Sequence, residues 1–355
     1  MSSNSSVILP DPRRYGDGTH PWSQLSREAL QAAVAACCAA GDDETINAAL
    51  HAAPSAAAYA QLHATVCNVA HHAVGAASAD TLLARVFALP LIVVTGSRKP
   101  LTLAGALPDI AAVTDLFLQK GVLGKTRNFG FGNALCTIEM LDSVRSSEVY
   151  AWTSAAGAER RELPPAAMVM ENPGEQVHLR FLVGAGIAPA HEPALTETAS
   201  NIGAWGMALT KMLAAQLAQA GAEILPMARP PADLLRASHA GRTAQLETAC
   251  HLFASNAVRR FRSASGDPVA IVSTHDNGDV RLTLSQPFDD QMVEGFCWPL
   301  HPLDDLPAIV AMMVELLGAC RVTRIEAAPR VLAGNNALGL PWFPALREWP
   351  LAGGH

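Results

Sequence analysis

The sequence predicts a mixed α/β (α+β) protein, with an N-terminal helical region followed by two ferredoxin-like units of βαββαβ type. Three observations predict this class: an alanine-rich helical region, short apolar runs that alternate with helices, and a repeated Gly–Pro pattern. The chain has 355 residues, more than one domain usually holds, so several units are expected. The expected organisation is an extended arm at 1–25, a helical region at 26–86, α/β units at 87–227 and 228–330, and a Pro- and Trp-rich tail at 331–355.

The helical region has a recognisable start and break. Ser26 is a good N-cap residue, and Glu28 follows it in the first turn. Pro54 is expected to separate two of the helices. After this region, the apolar run Leu89–Val94 is rich in β-branched residues and predicts a buried strand.

The middle of the chain is predicted to alternate between helices, loops and strands. A helix should open at Pro108 and end near Gly121. The glycine-rich stretch 122–134 is expected to be a loop, and a short helix should follow over 135–144.

Two strands are predicted further along. The first covers 149–152 and the second 177–183. In the second, His178 and Arg180 fall on one face and apolar residues on the other, which is typical of a half-buried strand.

The C-terminal half predicts a split βαβ unit. The dipeptide Asn277–Gly278 lies between two strand-like runs and is a strong hairpin signal. The long helix of this half is expected to break near 238–241. The predicted elements are strand 223–225, helix 231–262, strands 269–273 and 280–284, helix 307–318 and strand 321–327.

A Gly–Pro pattern occurs twice in the chain. The residues that match in Gly96–Ile110 recur in Gly295–Ile309 at a constant separation of 199 positions. Each copy runs from an extended segment through a Pro-containing loop into a helix. Duplication of an α/β unit would explain the pattern. The alternative is that glycines and prolines at loops and helix starts recur at this spacing by chance.

Two segments suggest a relationship to known proteins. Phe87–Pro90 and Glu294–Leu306 resemble parts of a family of functionally uncharacterised betaproteobacterial proteins. The resemblance implies a cytoplasmic protein without an assigned role, and it transfers no catalytic residue.

Composition excludes several functional classes. Only 16% of the residues are charged, against about 25% in an average protein, and the net charge is −7. A nucleic-acid-binding protein is therefore not expected, because such proteins usually have a basic surface. The seven cysteines are scattered without a CxxC pair, which favours a reducing compartment. The most apolar run, Val86–Val94, contains Pro90 and is too short for a membrane helix, so a cytoplasmic protein is expected.

The sequence lacks a cofactor loop of known spacing. Gly121–Thr126 ends like a phosphate-binding loop, but Gln119 occupies the position where that motif needs its first glycine. Gly184 and Gly186 follow a strand, yet Pro189 stands where the dinucleotide-binding motif needs glycine. No cofactor is therefore expected.

One side of a predicted helix carries side chains that could bind a metal ion. His63, Cys67 and His71 are spaced four residues apart and would project from the same side of a helix. Imidazole and thiolate are zinc ligands, although a structural zinc site needs a fourth ligand that the sequence does not specify. The alternative is that these residues belong to the core.

A second cluster follows the second Gly–Pro copy. Cys297 and His301 precede Asp304 and Asp305, which could complete a metal site. The alternative assigns Asp304 or Asp305 as the N-cap of the helix near Pro307.

The two Gly–Pro loops carry the candidate ligand-binding residues. Arg98 and Lys99 lie in the first loop, and Trp298 and His301 lie in the second. If the units are duplicated, two cations and an aromatic ring could converge on a small anionic or ring-bearing ligand. Surface turns with solvated charges are the alternative.

The function expected from the sequence is non-catalytic binding. The partner would be another protein, including a second copy of the chain in a homo-oligomer, or a small ligand. The alternative is a small-molecule enzyme with its site formed by loops 96–108 and 295–307. In that enzyme, His301 or His178 would act as acid–base group.

Overall fold

The fold is described from a computed structural model of the chain. The residues that it describes are 21–71, 82–95, 101–103, 107, 109–124, 127–142, 146–148, 168–170, 177–189, 195–217, 224–264, 266–274, 278–286 and 289–328. Among these residues, helices combine with mainly antiparallel sheets, which confirms the expected mixed α+β class.

The secondary structure has the following bounds. The helices are α1 (Arg27–Ala40), α2 (Asp43–His51), α3 (Ala56–His71), α4 (Ile110–Gln119), α5 (Ile138–Asp142), α6 (Glu197–Ser200), α7 (Ile202–Leu217), α8 (Leu234–Ala264) and α9 (Leu306–Ala319). The strands are β1 (Leu82–Thr95), β2 (Leu101–Leu103), β3 (Arg127–Cys136), β4 (Met168–Met170), β5 (Val177–Pro189), β6 (Ile224–Ala228), β7 (Val269–Thr274), β8 (Asp279–Gln286), β9 (Asp289–Pro299) and β10 (Arg324–Ala328).

The described residues fall into two compact units. The first unit comprises 21–50 and 61–245, and the second comprises 51–60 and 246–328. The division between the two units lies inside α8, between residues 245 and 246.

The first unit contains an antiparallel sheet with strand order β3–β5–β1–β6. In chain order its main elements are β1, α4, β3, β5, α7 and β6. The element-by-element prediction gave this strand–helix–strand–strand–helix–strand order for the C-terminal half. The strands of that half pair in a different order, β10–β7–β8–β9. The strand expected to open that half, β6, pairs with β1 in the first sheet.

The glycine-rich stretch expected to be a loop over 122–134 contains β3 instead. Two register shifts interrupt its pairing with β5, and glycine is tolerated at such irregularities. Phe129 and Phe131 on this strand are buried and pack with Phe87 of β1. Burial of these rings explains why the segment forms an edge strand despite its glycines.

Strand β5 is buried on both faces. His178 and Arg180, expected on a solvated face, are both buried, and Arg180 Nη1 donates to the Leu179 carbonyl at 2.7 Å. The opposite face carries Leu179 and Phe181, which contact α8. The alternation therefore correctly predicted which residues of β5 share a face, but it did not predict that both faces are buried.

The helical region begins as its capping residue predicts. Ser26 Oγ accepts a hydrogen bond from the Ala29 amide at 3.3 Å, and α1 ends at Gly41 with a φ of 74°. A break at Pro54 separates α2 from α3. Leu82, assigned to the helical region, instead begins β1.

Helix α8 continues without the break expected near 238–241. A Cβ at Gly241 would lie 2.8 Å from Leu179 Cδ1 and 3.0 Å from Phe181 Cε1. Glycine here permits the close approach of the helix to β5, so its role is packing rather than helix termination.

The second unit contains a sheet with strand order β10–β7–β8–β9. The predicted hairpin strands are present as β7 and β8, and β9 adds an antiparallel strand that the sequence analysis did not predict. Strand β10 pairs in parallel with β7. The sheet therefore has the expected four strands, but β9 takes the place of the strand expected at 223–225, and the strand order differs from that of the expected βαββαβ unit.

Helices α8 and α9 cover one face of the second sheet. Phe261 of α8 and Met313 of α9 lie in a core with Leu282 and Trp298 of the sheet. Asp305 caps α9 by accepting from the Ala308 amide at 3.2 Å, which confirms the capping alternative. In the described part of the chain, we find no helix with the length and apolar character needed to span a bilayer.

Candidate ligand-binding site

The second sheet has one apolar face and one polar face. Side chains alternate along a strand, so residues two apart on β8 point to the same side. The even-numbered residues Val280, Leu282 and Leu284 pack into the core beneath the helices. The odd-numbered residues lie on the opposite side, together with their cross-strand partners on β7 and β9. Its polar members are Ser273, Asp279, Arg281, Thr283, Ser285 and Cys297, and the apolar Ile271 and Val269 lie on the same side, opposite Thr283 and Ser285. We call this side the polar face.

An ion pair lies at one end of the polar face. Arg281 donates to Asp279 Oδ2 through Nη2 at 3.2 Å and through Nε at 3.3 Å. The two side chains are 4% and 9% exposed. Both charges have left water, and their mutual contact offsets part of the desolvation cost.

The thiol of Cys297 joins the same carboxylate. Its Sγ donates to Asp279 Oδ2 at 3.1 Å from the neighbouring strand. Burial, then the hydrogen bond to Asp279 and the charge of that residue, raise the pKa of the Cys297 thiol to about 12. The thiol is therefore protonated at neutral pH.

Three hydroxyl groups on the polar face have no hydrogen-bond partner. They belong to Ser273, Thr283 and Ser285, each at most 1% exposed. Leaving a buried polar group unpaired costs about 1–3 kcal/mol, so three such groups on one face are unusual. Groups of this kind are commonly satisfied by ordered water or by a bound molecule.

The three hydroxyls form a defined array. Thr283 and Ser285 are two residues apart on β8, which places them about 7 Å from each other along the strand. Ser273 lies on β7 directly opposite Arg281. The array can donate and accept hydrogen bonds at three points beside a neutralised ion pair.

The sequence analysis missed this site. The strand predicted at 280–284 contains Arg281 and Thr283 and excludes Asp279. The alternation itself was visible in the sequence. The sequence does not show whether the polar side chains of β8 are buried or face water, and only their burial makes them a candidate site.

Trp298 lies on the other face of the sheet. Its ring is 1% exposed and belongs to the core beneath the helices. Its Nε1 donates to Asp304 Oδ2 at 3.4 Å. The ring therefore packs inside the unit instead of offering a surface to a ligand.

His301 organises the loop between β9 and α9. Its backbone amide donates to Asp304 Oδ2 at 2.9 Å, and its Nδ1 accepts from the Leu303 amide at 3.1 Å. The neutral ring consequently carries its proton on Nε2, which lies 3.4 Å from Tyr59 Oη. Both ring nitrogens are engaged, so the geometry favours a structural role over acid–base chemistry.

The first Gly–Pro loop cannot be compared in full with the second. Arg98 and Lys99 lie outside the described residues. Helix α4 begins at Ile110 with Asp109 as its N-cap, whereas α9 begins at Leu306 with Asp305 as its N-cap. The two helices thus start about one turn apart relative to the repeated pattern.

The helical stripe with metal-ligand chemistry lies on α3. Cys67 Sγ is 3.7 Å from His63 Nδ1, and the thiol also hydrogen-bonds to Asp233. Burial, followed by the charge of Asp233, raises the pKa of Cys67, which opposes the thiolate that zinc requires. The side chain of His71 lies outside the description. The described residues include no group of three or more His, Cys, Asp or Glu side chains placed to hold a metal.

Comparisons with family models, with curated proteins and with solved structures returned no match for this chain.

Proposed function

We propose that this chain is a non-catalytic binding protein that holds a small polar ligand against the polar face of its second unit. The observation that carries the proposal is the set of unpartnered buried hydroxyls of Ser273, Thr283 and Ser285. A ligand that bonds to them would recover the cost of their desolvation.

Three thiols and one buried imidazole support a binding role over catalysis. The pKa values of Cys136, Cys250 and Cys297 are raised to between about 11 and 12, in each case chiefly by burial. Catalytic cysteines need the opposite shift. Burial also lowers the pKa of His63 to about 4, so that ring is neutral and inaccessible to substrate near neutral pH.

For the fold, we propose that the ferredoxin-like unit is the first one. Its βαββαβ element order and its antiparallel sheet order β3–β5–β1–β6 support this assignment. The seven free cysteines support a reducing compartment such as the cytoplasm.

A protein partner is the second candidate, and one observation favours it. Leu118 and Met207 are 51% and 73% exposed on α4 and α7, two helices that pack together in the first unit. Large exposed apolar side chains favour contact with another protein. Sedimentation velocity over a range of concentrations would test a second copy as the partner. Association of the wild type that Met207→Ser weakens would support it, and a monomer throughout would exclude it.

Thermal unfolding with a panel of small polar metabolites tests the main proposal. A ligand at about 100 times its Kd stabilises its protein by roughly 2.7 kcal/mol. We expect at least one compound to raise the Tm of the wild type but not that of Thr283→Val. The matched control is Thr65→Val, because Thr65 Oγ1 donates to the Gln61 carbonyl at 2.9 Å in the first unit. A panel without effect, or with equal effects on wild type and Thr283→Val, contradicts the proposal.

A further inference from the structure

We infer that the second unit has a basic surface that binds an acidic segment of a partner protein. The surface lies where α8 and α9 end, and its cations are Arg259, Arg262 and Arg321. We call these three residues the arginine cluster. The helices cover the side of the second sheet that is opposite the polar face. The inference therefore concerns a different surface from the one proposed to hold a small ligand.

Two contacts place the end of α8 beside the turn that follows α9. Arg262 Nη2 donates to the Arg321 carbonyl at 2.8 Å, and Ser255 Oγ lies 3.9 Å from Cys320 Sγ. Ser255, Arg259 and Arg262 are spaced four and three residues apart, so they lie on one side of the helix. Arg259 therefore lies between two positions that touch this turn.

The arginine cluster has an excess of positive charge. Arg262 pairs with Asp267 at 2.6 Å, whereas the partner of Arg259 among the described residues is the neutral side chain of Asn256, at 3.0 Å. Arg321 is exposed, and its guanidinium forms no hydrogen bond or ion pair with the part of the chain that the structure describes. The C-terminal ends of α8 and α9 supply about half a negative charge each, which offsets at most one of the two remaining cations.

Arg321 occupies a backbone position that favours glycine. Its φ is 60°, and among the described residues it is the one non-glycine residue with a positive φ. The turn after α4 has the same two hydrogen bonds, and Gly121 stands at the corresponding position with a φ of 65°. This left-handed conformation is costly for a residue with a Cβ atom but not for glycine. Arginine therefore weakens the turn, which is explained if its guanidinium binds a partner.

The chemistry of the arginine cluster matches carboxylates on a protein. Guanidinium groups bind carboxylates through paired hydrogen bonds, and arginine is enriched at protein interfaces. Nucleic acid is a poorer match, because it is bound through many phosphate contacts and the chain has a net charge of −7. A single small anion would gain little from two exposed arginines in physiological salt. An acidic segment with several carboxylates can contact both arginines at once.

Fluorescence anisotropy of a labelled oligoglutamate peptide, titrated with the full chain at low salt, tests this inference. The variants are Arg259→Gln and Arg321→Gly, and Arg321→Lys keeps the charge at the same backbone position. The matched control is Arg27→Gln, which removes one positive charge from an exposed position on α1 in the first unit. Labelled oligothymidylate is titrated in parallel as a nucleic-acid probe.

We expect Arg259→Gln and Arg321→Gly each to raise the Kd of the peptide about threefold or more, and Arg27→Gln to change it less than about twofold. Arg321→Lys should retain more binding than Arg321→Gly, and high salt should weaken binding of the wild type. The Tm of Arg321→Gly should not fall, because glycine suits the turn, so its loss of binding would not reflect unfolding.

Three results would overturn the inference. The first is no binding of the peptide to the wild type at low salt. The second is the same Kd for the wild type, Arg259→Gln and Arg321→Gly. The third is tighter binding of oligothymidylate than of the peptide with the same sensitivity to these variants, because the partner would then be a nucleic acid.

Discussion

Cys297 and Asp279 lie on adjacent strands, β9 and β8, and the Cys297 thiol donates a hydrogen bond to Asp279 Oδ2 at 3.1 Å. The same oxygen accepts from the Arg281 guanidinium. One carboxylate oxygen thus joins a thiol and a cation on a buried sheet face. This arrangement ties the protonation of Cys297 to the charge of Asp279.

Asp279→Asn should make Cys297 more reactive. Burial contributes most to the raised thiol pKa of about 12, and the hydrogen bond to Asp279 and its negative charge add to it. The substitution removes that charge and leaves Arg281 to favour the thiolate. We expect alkylation of Cys297 by iodoacetamide to become at least about tenfold faster at mildly alkaline pH, since each pKa unit changes the thiolate fraction tenfold.

Peptide mapping by mass spectrometry measures this rate, and Cys250 provides the internal control. Cys250 is fully buried in the same unit, and burial raises its thiol pKa to about 12. If Cys250 is alkylated as readily as Cys297, the variant has opened the unit and the electrostatic account is wrong.

Removing one partner of the buried ion pair should destabilise the second unit. Arg281→Met leaves the Asp279 carboxylate buried beside a thiol, and breaking a buried pair in this way costs about 3–5 kcal/mol. The double variant Arg281→Met with Asp279→Leu removes both charges and should recover most of the loss. Denaturant unfolding followed by circular dichroism measures both.

An exposed ion pair in the same unit is the matched control. Arg262 and Asp267 form a pair whose side chains are 37% and 56% exposed. Asp267→Asn should cost at most about 1 kcal/mol, because water already screens that pair and the hydrogen bond from Arg262 to the Arg321 carbonyl remains. Equal costs for the two single variants would show that burial of the Arg281 pair has no energetic consequence.

The stability of the first unit should fall as the pH is lowered from 7 to 5. His63 is buried, and desolvation lowers its pKa from 6.5 to about 4 in the folded chain. The unfolded chain therefore takes up a proton first, so stability is lost as pH falls through 6.5, and the loss is complete near pH 4. This group alone should remove about 2 kcal/mol between pH 7 and pH 5.

Guanidinium unfolding at several pH values checks this linkage. His63→Gln should flatten the profile by about 2 kcal/mol over that range. His251→Gln, at an exposed position on α8, should keep the wild-type slope. An unchanged slope in His63→Gln would refute the assignment of the pH dependence to His63.

Local sequence patterns predicted the positions of several helices and strands, but they did not predict which faces of these elements are buried. Ser26 capping α1, Asp305 capping α9 and the β7–β8 hairpin follow from short-range chemistry, which does not depend on distant packing. Strand β3 was missed because its glycines suggested a loop, and only its pairing with β5 makes it a strand.

The candidate site depends still more on tertiary structure. An alternating strand such as β8 has the same sequence signature whether its polar side faces water or is buried. Strand β9 was not expected, so the contact between Cys297 and Asp279 could not be anticipated. Likewise, Trp298 and His301 were expected to face a ligand, but the Trp298 ring packs in the core of the unit and the His301 amide donates to Asp304 within the loop that precedes α9.

Gly241→Ala should destabilise the protein although alanine is the better helix former. In an open helix position the change stabilises by up to about 1 kcal/mol. At Gly241, however, the new Cβ would lie 2.8 Å from Leu179 Cδ1 and about 3 Å from the ring of Phe181. Overpacking of a core typically costs about 1–3 kcal/mol, so the clash should outweigh the gain in helix propensity.

The matched control for Gly241 is the corresponding substitution in α9. A Cβ at Gly318 would meet nothing within 4 Å, so Gly318→Ala should be neutral or stabilising. Denaturant unfolding of both variants gives the two changes in the free energy of unfolding. If Gly241→Ala stabilises the protein, the new Cβ does not clash with Leu179 at the 2.8 Å expected, and the packing of α8 against β5 does not require glycine.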